Sequence, residues 1–232
     1  MSFGHHLAPP YRWTMSSAPP ATGAGPKPIW RGWLHQGGAV GLALASPILI
    51  VRAHNGAQVA WVLCYLVGVE AMMVISALLH RVNWTPARRR AWRRADQVGI
   101  FAAIVGTFVA LGGLTMHGNI RLVLLVLIVV GSLAGIGVRQ LALDAPKWAN
   151  TLPFLVISWA AIVVMPQIYR GGGPLCFALV IGGGLAYTLG AVAYAARRPR
   201  LNPRVFGYHE LFHAGTILGA GLHFAALAVA LH

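Results

Sequence analysis

Tyr208-His209-Glu210-Leu211-Phe212-His213 opens the last apolar stretch of a 232-residue chain and carries two histidines four residues apart. On a helix that spacing sets the two rings about 40° apart around the axis and about 6 Å along it, so both can reach one metal ion. Histidines on entry to a membrane span need a physical reason, because polar groups at that depth are expensive. Three further residues have the chemistry to complete a site. His80 ends another apolar run, Ser76 lies one turn before it on the same helix face, and Asp96 opens the run that follows.

The elements that must position these groups are membrane helices. Hydrophobic residues make up 57% of the chain and charged residues only 9%, with a mean hydropathy of +0.67. Soluble domains carry about 25% charged residues. There are four acids, Glu70, Asp96, Asp144 and Glu210, against eighteen lysines and arginines. The net charge of +14 would suit a nucleic-acid binder, but the arginines cluster between apolar runs, as topology signals do. The chain is read as a membrane protein whose partners are membrane lipids, not nucleic acid. Cys64 and Cys176 each stand alone in an apolar run and read as small hydrophobes rather than as a disulfide or metal pair.

Crossing the hydrocarbon takes about 20 apolar residues. Seven runs meet that length, at 33–51, 57–80, 96–116, 119–138, 149–169, 174–195 and 209–231. The predicted fold is all-α, a seven-transmembrane helix bundle over 31–232, preceded by a flexible cytosolic tail at 1–30. Arg170-Gly171-Gly172-Gly173-Pro174 is expected to break the chain between the fifth and sixth spans. Fifteen of the eighteen basic residues fall before span 1 or after spans 2, 4 and 6, and only Arg52, Arg121 and Arg170 fall on the other side. The positive-inside rule then sets the N-terminus in the cytosol and the C-terminus outside. That topology is the reverse of the G-protein-coupled receptors. Retinal proteins need a lysine inside a span, whereas Lys27 and Lys147 both lie in collars or loops.

In this orientation His80, His209, His213, Asp96 and Ser76 share one layer near the cytosolic face. Three imidazoles leave one tetrahedral position open, which is how catalytic zinc is held. Asp96 then reads as a general base for water and Ser76 as a group that holds water, polarises a carbonyl or orients His80. Each residue also has a plainer role. His80 can bond between helices, and Asp96 can cap span 3 or neutralise Arg93 and Arg94.

The order Ser76-x3-His80, Asp96-Gln97-Val98-Gly99-Ile100, His209-x3-His213, with Glu70 upstream, resembles the hemolysin III branch of the progestin and adiponectin receptor (PAQR) family. The resemblance extends over nearly the whole chain after residue 27. It implies seven helices, a cytosolic N-terminus, a bacterial plasma-membrane location and a zinc ion held by His80, His209 and His213 beside Asp96 and Ser76. The receptor branch implies zinc amidohydrolases acting on ceramide-like lipids; the bacterial branch is tied to cytolysis and membrane homeostasis. In the family's first motif, Glu-x2-Asn-x3-His, Pro28 and Arg31 replace the Glu and Asn before His35.

His209-Glu210-Leu211-Phe212-His213 also spells HExxH, in which a glutamate serves a zinc protease as base. No acid follows His213, so a third ligand must come from upstream, and His80 fits the PAQR pattern better. Glu210 and Glu70 stand as secondary candidates. Glu70 lies about 15 Å deeper than His80 and reads as a protonated or internally paired acid, or as part of an ion path. The functional classes are a metal-dependent hydrolase of a lipid amide or ester, a receptor or homeostasis regulator with structural zinc, and a pore-former. A reporter active only in the cytosol, fused after His232, is expected to be silent; activity would overturn the topology.

Overall fold

The computed structural model describes residues 28–202 and 204–231; the tail expected at 1–30 lies mostly outside them. Among the described residues there are helices and no strands. The helices are α1 (Trp33–Arg52), α2 (Gly56–Arg81), α3 (Pro86–Thr115), α4 (Gly118–Leu141), α5 (Lys147–Ala160), α6 (Met165–Ala196) and α7 (Tyr208–Ala230), with a 3-10 turn (Ala161–Val164) between α5 and α6. Six stretches are long and apolar enough to cross a membrane: α1, α2, α3, α4, the continuous run Lys147–Ala196, and α7. Leu44, Val51, Leu127, Leu189 and Leu218 face outward, as side chains do when the surrounding solvent is lipid.

Local chemistry accounts for the helix starts. Asn55 caps α2 by accepting from Gln58 N at 2.9 Å. Pro86 occupies the first turn of α3, where its missing N–H costs nothing. α3 therefore begins ten residues before the expected span and is about 45 Å long, against a hydrocarbon core of about 30 Å. Its arginine-rich first turns are anchored by Asp144, which pairs with Arg93 at 2.9 Å and Arg90 at 3.7 Å. Asp96 sits in the third turn of α3. The capping role for Asp96 is thereby corrected, and its neutralising role passes to Asp144.

The Gly-rich breaker is also narrower than expected. Only Gly173, at φ 79° and ψ 175°, leaves helical geometry within α6. Beyond it the chain returns alongside α5, where Trp159 Nε1 donates to Thr188 Oγ1 at 2.9 Å.

α2 and α3 form the centre of the bundle and pack most closely together, while α1 bridges α2 and α7, and α7 lies along α6. α1 buries one stripe, His35, Ala39, Leu42 and Leu49, the spacing of a single helix face. At the α2–α3 crossing a Cβ on Gly106 would strike the carbonyl oxygen of Cys64, and one on Gly68 would strike that of Ala102. Small residues let these backbones touch.

Backbone cannot swing aside, so Gly106→Val should destabilise the bundle by about 1–3 kcal/mol, read as a lower melting temperature in detergent. Gly41→Ala, where a Cβ meets nothing within 4 Å, should leave it unchanged or slightly raised.

Candidate metal centre

The end of α2 and the start of α7 converge on one point. The ligand atoms of His80, His209 and His213 lie within 4.8 Å of one another. Nε2 of His209 is 3.2 Å from Nε2 of His80, and the edge of a tetrahedron with metal–nitrogen bonds near 2.0–2.1 Å is about 3.3 Å. The rings are mutually inclined, His80 at 86° to His209 and 55° to His213, so their in-plane nitrogens approach from different directions. This donor set suits a borderline metal ion.

Ser76 and Asp96 complete the same layer. The Ser76 hydroxyl hydrogen-bonds the Asp96 side chain, linking α2 to α3. Ser76 is buried, and both residues line a cavity of about 60 Å³ together with His209 and His213. A larger cavity of about 110 Å³ adjoins it. The two share Met72, Ile100, Phe154, Phe212 and Thr216 as walls, so a chamber lined with polar groups lies against an apolar one.

Several residues at this site carry no sequence-level signal strong enough to select them. His35 is 3% exposed and lies face-to-face on His213, with centroids 3.9 Å apart and planes 15° apart. Neither of its ring nitrogens makes a hydrogen bond. Its place at the end of the family's first motif was the available clue. Lys147 donates to the Tyr208 hydroxyl at 2.6 Å and lies 4.5 Å from the centroid of Tyr194, which lines the polar cavity.

The secondary acids fall elsewhere. Glu210 is 2% exposed, with Oε1 paired to Arg31 Nε and Oε2 accepting from Gly207 N at 2.9 Å. Both oxygens are thus engaged in holding the start of α7 to the segment before α1. That segment is further tied by Ile29 N to Arg204 O at 3.0 Å and Trp30 N to Val205 O at 3.3 Å. Gly32, at φ 83°, brings the same segment against His80, where a Cβ would stand 3.0 Å from that of His80. Glu70 does not line the polar cavity, and its Oε2 has no hydrogen-bond partner. His223, deeper on α7, bonds Val180 O at 3.2 Å.

Residues 25–224 match the family model described as Haemolysin-III related. Among curated proteins, Hemolysin-3 of Bacillus cereus is 24% identical over 191 residues, covering 80% of this chain and 84% of that protein. The Hemolysin-3 homolog of Bacillus subtilis (strain 168) is 22% identical, covering 80% and 86%. The heptahelical transmembrane protein ADIPOR2 of Oryza sativa subsp. japonica is 28% identical over 185 residues, covering 72% and 80%.

Arg31→Met strands a buried carboxylate and should cost about 3 kcal/mol. Adding Glu210→Gln should recover part of that loss. A double-mutant cycle on unfolding in mixed micelles reads the coupling, and additive losses would show that the pair contributes nothing.

Proposed function

This chain belongs to the haemolysin-III-related family and is a multi-pass integral membrane protein, and from that premise we propose that it is a zinc-dependent hydrolase of a lipid amide or ester. The observation that carries this reading is the paired cavity. A polar chamber holding a carboxylic acid, a hydroxyl and histidines adjoins an apolar chamber nearly twice its volume. A lipid has that same division, a polar linkage joined to a hydrocarbon chain.

His80, His209 and His213 would hold the ion. When bound, zinc acts as a Lewis acid toward a carbonyl and lowers the pKa of water toward about 7. The protein's own groups do the remainder. Asp96 accepts a proton from the attacking water and later returns it to the leaving atom. Ser76 fixes the Asp96 side chain by its hydrogen bond, so the carboxylate meets the water in one orientation. Phe154, Phe212 and Met72 wall both chambers and exclude bulk water from the reacting group. Glu210 has both oxygens committed to Arg31 and Gly207, which favours Asp96 over the glutamate of HExxH as the base.

The proposal includes seven spans, with Lys147–Ala196 folded into two at Gly173. The return of the chain beside α5 supports this. With the N-terminus cytosolic, the site faces the inner leaflet, which supplies the lipid.

Metal analysis and lipid mass spectrometry on the purified protein test the reading together. Wild type should carry one zinc per chain and consume a lipid from a cellular extract. His80→Ala should lose both zinc and turnover. Asp96→Asn should keep the zinc and lose turnover by about 10²–10⁴-fold. Loss of zinc in Asp96→Asn would instead make the aspartate a fourth ligand and the metal structural. Zinc-loaded wild type with no turnover on any extract would sink the hydrolase.

A further inference from the structure

Arg139 is the largest fully enclosed side chain in the bundle, at 2% exposure, and among the described residues no carboxylate pairs with it. It is held by neutral acceptors. Its Nε donates to Gln97 Oε1 at 3.0 Å, and its Nη1 donates to Ala142 O at 2.8 Å and to Asn150 Oδ1. A guanidinium carries only donors, so the atom that Gln97 turns toward it must be the oxygen. The amide nitrogen of Gln97 then lies on the opposite side of the carboxamide. Asn150 differs, because its Nδ2 already donates to Ala145 O at 2.9 Å. Gln97 lines the polar cavity with Ser76, Asp96, His209 and His213, and it follows Asp96 directly on α3.

The geometry points to Gln97 Nε2 as the donor that receives the substrate's carbonyl oxygen, with Arg139 as the positioning residue that fixes the amide's orientation. This assignment rests on the hydrolytic reading of the site. The water oxygen bonds to the carbonyl carbon while Asp96 takes one of its protons, and the π pair moves onto the carbonyl oxygen. Gln97 N–H holds the charge that gathers there. When that pair re-forms the C=O bond, the bond to the leaving nitrogen or oxygen breaks with its electrons on the leaving atom. The proton on Asp96 then passes to that atom. A donor preset by a buried cation needs no reorganisation as the charge develops, and in a chamber of low dielectric it acts strongly.

Gln97→Glu separates this role from a structural one. The carboxylate keeps an oxygen on Arg139 and gains an ion pair, but it has no N–H to offer the cavity. Melting temperature and zinc content should stay at or above wild-type levels. With N-palmitoyl-sphingosine in mixed micelles, kcat should fall by about 10²–10³-fold while KM changes by less than about threefold. Arg139→Lys, which keeps a donor toward Gln97, should retain more of kcat than Arg139→Met.

A binding arm reads the same donor without turnover. Palmitate presents a carboxylate oxygen to the polar chamber, and Trp159 in the wall of the apolar chamber reports binding by fluorescence. Gln97→Glu should weaken palmitate at least about tenfold, and Gln97→Met, which removes the N–H without adding a charge, should weaken it by a similar factor, the loss of one charge-assisted hydrogen bond. A kcat within threefold of wild type, equal palmitate affinity in the two proteins, or no palmitate binding by wild type would each overturn the assignment. Weakened palmitate binding in Gln97→Glu, with no turnover by wild type, would sustain the donor and reject the hydrolase.

Discussion

Three imidazoles must stand within a few ångströms of one another at a depth where unpaired polar groups cost several kcal/mol each. The rest of the structure serves that requirement. His80 belongs to α2 and His209 and His213 to α7; α1 and α3 both bridge the two helices, and Tyr65 of α2 donates to Ala220 O of α7 at 2.6 Å. The fastening is the segment before α1. Arg31 pairs with Glu210 in the first turn of α7, Gly32 lies against His80 at the end of α2, and two backbone bonds tie Ile29 and Trp30 to the loop before α7. One short stretch of chain thus ties together the ends of the two histidine-bearing helices. His35, two residues further on, stacks on His213 and continues the same clamp into the bundle.

A second polar layer stands behind α3. Burying a guanidinium costs several kcal/mol unless its hydrogens are bonded. Arg139 meets this with two side-chain amides and a backbone carbonyl rather than with an acid. Neutral amides satisfy the cation while leaving Asp96 the one carboxylate in the lining of the chamber. The positive charge remains uncancelled beside a site where, on the hydrolytic reading, negative charge develops.

The spans were legible because hydropathy reports burial in lipid directly, and α1, α2, α4 and α7 match the expected runs to within a few residues. α3 begins earlier than its apolar run because its first turns carry arginines, which a hydropathy pattern counts as loop. The pair on α7 and the histidine ending α2 were legible from spacing and charge asymmetry. Arg139 was not, since a lone arginine at a helix end looks the same whether it marks topology or fills a buried network. His35 stands in the sequence as the end of the family's first motif and Gln36 as its polar neighbour in span 1. Which of the two turns inward depends on the face that α1 presents to α7, and the helix has apolar residues all round.

The HExxH string makes the same point in reverse. Its letters fit a metalloprotease, yet the meaning of the glutamate depends on where one turn of helix points it. Glu210 lies about 100° from His209, away from the chamber and toward Arg31, the residue standing where the family motif has asparagine. Each oxygen of Glu210 is bonded, one to Arg31 and the other to Gly207 N, and Glu210 does not line the chamber. Asp96 accepts from the neutral Ser76 hydroxyl and lines the chamber. The residue that replaces the motif's asparagine therefore engages Glu210 in holding the start of α7 to the segment before α1, and on the hydrolytic reading leaves the role of base to Asp96.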